Sequence, residues 1–154
     1  RTKIRPTETS SAADSLSRTK IGMPSFEICR SLESITIHSS VTEIGDWAFQ
    51  GCRTLSAITI PNSVLKIVHS AFRGCSSLES ISIPDSITTI RESVFEDCSK
   101  LISVIISASV KEISEKAFIG CTGIKEIMLS RRFEENYKEI LKDVDLLQVT
   151  IHWI

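Results

Sequence analysis

The stretch from Leu55 to Pro84, LSAITIPNSVLKIVHSAFRGCSSLESISIP, decides how the rest of the chain is read. Its middle, Arg73-Gly74-Cys75-Ser76-Ser77, resembles a nucleophile loop, with a thiol behind a glycine and hydroxyls after it. Counting outward from Cys75 changes that reading. Cysteines stand at Cys29, Cys52, Cys75, Cys98 and Cys121 and nowhere else, so every interval is 23 residues. Phe26, Phe49, Phe72, Phe95 and Phe118 keep the same step. So do Leu32, Leu55, Leu78, Leu101 and Ile124, and likewise Ile21, Ile44, Ile67, Ile90 and Ile113. A fixed period of this size is the signature of a solenoid, in which each repeat is one coil stacked on its neighbours.

Within one coil, Leu55-x-x-Ile58-x-Ile60 has the alternation of a short strand. Leu55, Ile58 and Ile60 point inward, and Ala57, Thr59 and Pro61 outward. Pro61 and Pro84 end their strands, because proline has no N–H to donate to a continuing ladder. Val64 and Ile67 return the chain to the interior. Ala71, Phe72 and Cys75 then fit a single helical turn, and Gly74 suits the tight exit to the next strand. Ser40, Ser63, Ser86 and Ser109 recur at the bend, where a hydroxyl can bond the turn's backbone. Four equal copies mark these serines as scaffold, since catalysis needs one activated copy. A lone coil exposes both flat faces and buries too little apolar surface to offset its ordering entropy, so the coils must stack.

The in-phase columns Ala-Phe-x-Gly-Cys, Ser-(Val/Ile)-x-x-Ile and the Ile-Pro strand end closely resemble the BspA-like family of leucine-rich repeats, from about Ile21 to Leu129. Departures fall at His38, Ser107 and Ser130, where proline is usual, and at Val94, where alanine is usual. The resemblance implies an α/β solenoid. Its coils form a right-handed superhelix with short parallel strands on one face and short helical turns on the other, closed by a C-terminal helix-strand cap. It also implies a non-enzymatic module that binds a protein partner, found on the cell surface or secreted.

The 154 residues suit one domain. Residues 1–20 carry five cations against two carboxylates, and eight of the twenty are Ser or Thr. That composition predicts a disordered or linker tail. Residues 21–130 are expected to form about five coils and 131–154 the cap. Phe133, Tyr137, Ile140, Leu141 and Val144 have the spacing of an amphipathic helix. Beyond them, Leu146-x-x-Val149-x-Ile151 repeats the strand signature 22 residues after Ile124, Ile127 and Leu129. The chain begins with Arg1, as expected of a fragment or processed form, and shows neither a signal-peptide pattern nor an apolar run long enough for a bilayer. A formal charge of −1 gives no general pull towards nucleic acid or anionic lipid.

The inward column predicts a buried ladder of reduced thiols, although the strand spacing alone would permit a disulfide. Thiols in a line do not converge as a zinc tetrahedron. His38, His69 and His152 occupy unrelated positions, so no Cys-His pair recurs, and no glycine-rich loop is built for a phosphate. Neither catalytic residue, cofactor nor metal is expected. The outward strand positions are expected to bind the partner: Thr36, His38, Thr59, Glu79, Ser82, Ile102, Ile105 and Met128. This face is mostly small and polar, but Ile102, Ile105 and Met128 make an apolar patch that either meets a partner or lies under the cap. Trp47 and Trp153 are further candidate anchors. The alternative is a structural or regulatory repeat segment that positions a neighbouring domain of a larger protein.

Overall fold

Each repeat contributes two short strands, separated by bends, to the structure, a computed structural model that describes residues 19–22 and 26–154. Numbered in chain order, one set is β1 (Lys20–Ile21), β3 (Glu43–Ile44), β5 (Lys66–Ile67), β7 (Thr89–Ile90) and β9 (Glu112–Ile113). The other is β2 (Ser34–Thr36), β4 (Ala57–Thr59), β6 (Ser80–Ile83), β8 (Ser103–Ile106), β10 (Glu126–Leu129) and β11 (Thr150–Trp153). All pairs are parallel, and from β1 to β10 they hold the 23-residue register, as in Ile35 opposite Ile58 and Ile81 opposite Val104. The chain is a parallel β-solenoid with few helices. The tail expected at 1–20 lies outside the described residues except for Thr19 and Lys20. Lys20 pairs with Glu43 in β3, Nζ to carboxylate 2.8 Å.

The expected helical turns are narrower than helices. Cys52 N–H donates to Phe49 O (3.1 Å) and Cys75 N–H to Phe72 O (3.1 Å), which closes three-residue turns. Other N–H groups reach the next coil, as from Phe49 to Ala71 O (2.7 Å) and Gly51 to Arg73 O (2.8 Å). The reason is width: helices pack about 8–10 Å apart, whereas strands on the opposite side advance about 4.8 Å per coil. Turns can follow that small step. The helix α1 (Phe26–Ser31) stands at the first of these positions. Gly51, Gly74 and Gly120 take φ of 72°, 73° and 74°, the left-handed exit that glycine permits without steric cost. Asp97 fills the same column at φ 60°.

Inside, Phe49, Phe72, Phe95 and Phe118 stack face to face, with centroids 5.3, 5.6 and 5.5 Å apart and planes within 11° of parallel. Each free thiol donates to the carbonyl of the phenylalanine one coil earlier: Cys75 to Phe49 O (3.1 Å), Cys98 to Phe72 O (3.2 Å) and Cys121 to Phe95 O (2.9 Å). The ladder is not uniformly reduced, however. Cys29 and Cys52 form a disulfide with Cα atoms 4.5 Å apart, a separation that one strand step supplies. It ties α1 to the following coil. Thr54 reinforces the tie by donating its hydroxyl towards Leu32 O (2.9 Å) and Arg30 O (3.1 Å) near the helix end. The serine column works in part: Ser86 and Ser109 donate to Val64 O and Ile87 O of the preceding coil, while the buried Ser63 hydroxyl has no partner.

The strand ladders lapse at one place. No ladder joins β4 to β6 or β5 to β7; the junction is held by single bonds, Glu79 N–H to Ser56 O (3.2 Å) and the Ser86 hydroxyl to Val64 O, and by the turn edge through Phe72 N–H to Val94 O (2.9 Å) and Gly74 N–H to Glu96 O (2.8 Å).

After β10 the amphipathic segment is not one helix. It comprises a 3-10 turn (Arg131–Phe133), a four-residue helix α2 (Tyr137–Ile140) and a second 3-10 turn (Leu146–Gln148). A straight helix would hold Phe133 and Val144 about 16 Å apart. The chain turns instead, and both are buried in the same core with Ile140 and Leu141. The last strand also differs in register: Ile127 faces Ile151 and Leu129 faces Trp153, a step of 24 rather than 22. Leu146 consequently lies before the strand, and Trp153 takes an inward place, its ring meeting Tyr137 edge-on at 5.3 Å.

Truncating Phe72 to alanine should cost about 3–5 kcal/mol, read as a lowered urea midpoint, because a ring stacked on both sides leaves a cavity that neighbouring coils cannot close. Asp97→Gly should instead raise stability by about 1 kcal/mol in the same measurement by relieving the left-handed backbone.

Candidate functional site

The ladder brings the outward side chains of one coil directly beside those of the next. Thr36 lies opposite Thr59, and Ser82, Ile105, Met128 and His152 form a continuous row across β6, β8, β10 and β11. Glu79 and Ile102 adjoin one another in the row before it, linked by Ile102 N–H to Glu79 O (2.8 Å). Thr36, His38, Thr59, Glu79 and Ser82 are all exposed. Ile102 and Ile105 are 44% and 39% accessible, and Met128 is half-buried, so residues 131–154 do not cover the apolar patch. Thr36 and His38 stand on the far side of the lapse between β4 and β6, in a separate ladder from the patch. His38 Nδ1 accepts the Ser40 N–H (3.1 Å), so the ring closes the bend where other coils carry proline.

Sequence spacing missed His152, because two extra residues before β11 shifted its register. It also missed a groove of about 530 Å3 beside the strand ends, lined by Pro61, Ser82, Pro84, Asp85, Ile105 and Ile154 among others. Ile154 reaches it only through the shifted strand. The tryptophans differ: Trp47 is half exposed at φ 56° on the turn edge, while Trp153 is engaged with Tyr137.

Cys75 is no nucleophile. Its side chain is fully buried, and loss of solvent pushes the thiol up from the usual 9.0 to about 12, only partly opposed by a hydrogen bond from the Cys52 backbone. Cys98 is raised as well, chiefly through its contact with the Cys121 thiol and then through burial. Both thiols are protonated at neutral pH, and the nucleophilic form is the thiolate. Among the described residues, no group of three or more His, Cys, Asp or Glu side chains is placed to hold a metal ion. What the strand face offers is contact area: two exposed isoleucines within a surface of hydroxyls and scattered charges.

A model of the BspA type leucine rich repeat region matches residues 17–152 in six copies. The chain belongs to this family. BspA-type relatives of known structure include a leucine-rich repeat protein of T. pallidum, 37% identical with a TM-score of 0.66, covering 71% of this chain and 51% of that one. A leucine rich cell surface protein of Faecalibacterium prausnitzii is also 37% identical, TM-score 0.67, covering 71% of this chain and 29% of that one. A Bacteroides ovatus leucine-rich repeat protein is 26% identical, TM-score 0.69, over 88% and 39% of the two chains. This chain thus spans about half or less of the length of these BspA-type relatives. No curated protein matches it.

Iodoacetamide applied to the folded protein without reductant should label none of the three free cysteines and all three in urea, counted by mass spectrometry. The raised thiol values also set an alkaline limit. Proton binding is tighter in the folded state, so the stability involved is complete below the unfolded thiol value near 9.0 and is lost as pH climbs towards about 12. Urea midpoints should therefore fall above pH 9, and the fall should be smaller, though not abolished because Cys98 is raised too, when Cys75 is replaced by alanine, each variant being compared with its own neutral value.

Proposed function

We propose that the chain is a non-enzymatic binding module that meets a protein partner through its strand face. Leucine-rich repeat families commonly serve protein–protein interaction, and this chain's relatives are bacterial repeat proteins of the same kind. The observation that carries the reading is the apolar pair Ile102 and Ile105, held on a regular, otherwise small and polar surface and left open by the other described residues. Rows of identical spacing let many modest contacts build one extended interface. The side chains assigned to it are Thr36, His38, Thr59, Glu79, Ser82, Ile102, Ile105 and Met128, with residues 131–154 acting as the cap of the stack.

A surface or secreted location, of the adhesin type, goes with this reading. One relative is described as a cell surface protein, and a disulfide such as Cys29–Cys52 persists in oxidising surroundings. No helix among the described residues is long and apolar enough to cross a membrane.

The second reading, a segment that positions a neighbouring domain, is favoured by the greater length of the relatives. Photo-crosslinking amino acids placed singly at Thr59, Ser82 and Ile105, and on the turn edge at Gln50 and Arg73, separate the two in the full-length protein on its own cells. Adducts to another protein from the strand-face positions alone are expected. Adducts confined to the turn edge, or to other parts of the same chain, would assign the module to spacing instead.

A further inference from the structure

The groove beside the strand ends is where this repeat stops repeating. In the bend column that carries Pro61 and Pro84, the next coil has Ser107; in the column of Ser39 and Asn62, the following residues are Asp85 and Ala108. In the outward row of Thr36, Thr59 and Ser82, the next is Ile105. These departures converge on one concavity, where Pro61, Pro84, Ile105 and Ile154 supply apolar walls and Asp85 is the one charged side chain in the lining. Ser107 makes the arrangement specific. Its buried hydroxyl donates to Asp85 Oδ1, its oxygen accepts the Ser109 N–H (3.2 Å), and Ser109 in turn donates to Ile87 O (3.1 Å). Proline at 107 would provide none of this. The carboxylate is thus held from below through Oδ1, and among the described residues its other oxygen has no hydrogen-bond donor.

The geometry points to an extended peptide as occupant, with a basic side chain on Asp85 and aliphatic neighbours on Ile105 and the two prolines. This rests on the strand-face reading above and names the kind of partner segment it takes. An exposed, oriented carboxylate without a cation in the lining is complementary to lysine or arginine, and arginine's planar fork suits it best. The groove crosses the coils of Pro61, Pro84 and Ala108, two strand steps or about 10 Å, which is the reach of about three extended residues. Asn62 and Ser82 in the lining supply amide and hydroxyl groups for the peptide backbone.

The test uses two blocked peptides, acetyl-Ser-Leu-Arg-Leu-Ser-amide and its glutamate counterpart, titrated into the isotopically labelled chain while backbone amide shifts are followed. The arginine peptide should move the amides of Ser82, Asp85, Ile105 and Ala108. It should bind about threefold to fivefold more tightly than the glutamate peptide, the scale of one exposed ion pair. Asp85→Asn should abolish that preference, as should raised salt, and Ser107→Ala should reduce it, with the rest of the spectrum unchanged. Equal affinity for both peptides, shifts centred elsewhere, or no saturation with either would overturn the assignment. Strand-face crosslinks obtained without any peptide preference would sink this inference alone and leave the binding-module reading standing.

Discussion

Everything in this solenoid follows from one constraint: each column must accept a copy of itself displaced by a single strand spacing. Phenylalanine meets that constraint by lying flat, so that each ring covers the next with planes nearly parallel. Centroids 5.3–5.6 Å apart are a little wider than the strand repeat of about 4.8 Å, as expected for rings offset and slightly fanned about the axis. The same displacement dictates the rest of the section. It keeps the turn edge between stacked coils too narrow for helices, leaving one only at the first position, and it puts each free thiol within reach of the carbonyl one coil earlier. It also makes four successive coils leave by a left-handed residue, at 51, 74, 97 and 120, even where the chain supplies an aspartate.

Because the interior is bound by translation, individuality is confined to the outside. Inward columns vary only between similar apolar residues, such as Leu101 and Ile124 or Ile81 and Val104. The outward row passes from Ser82 to Ile105 to Met128 without interrupting the ladder. Ile105 and Ser107 belong to one coil, and both face the same side of the sheet. This coil changes its outward residues in kind while its inward change, Val104 for isoleucine, stays within the aliphatic set, so it carries a local surface chemistry on a conserved interior pattern.

What could be read from the sequence divides along the same line. For the periodic apolar residues the reading was sound: Phe49, Phe72, Phe95 and Phe118 are buried with the Leu and Ile columns, Gly74 takes its left-handed turn, and Ile102 and Ile105 face outward. It failed where the period gives no information. A two-residue strand such as Lys66–Ile67 carries too little alternation to reveal a second ladder. The Cys29–Cys52 bond is invisible to spacing, since every adjacent pair of cysteines has the same interval. In the last coil the apolar residues fit two registers, and the choice fell to Trp153, whose ring finds Tyr137 only with the longer step. The groove was hidden for a related reason, because Ile154 reaches it through that strand.

The lapse between β4 and β6 makes the bonding between coils uneven around the stack. On the strand side the two halves of the stack meet there without a continuous ladder, while the turn edge remains bonded across the seam. The bonding between coils is thus thinnest on the face that carries the outward rows, whereas the aromatic spine crosses the same seam unbroken, from Phe72 to Phe95 at 5.6 Å.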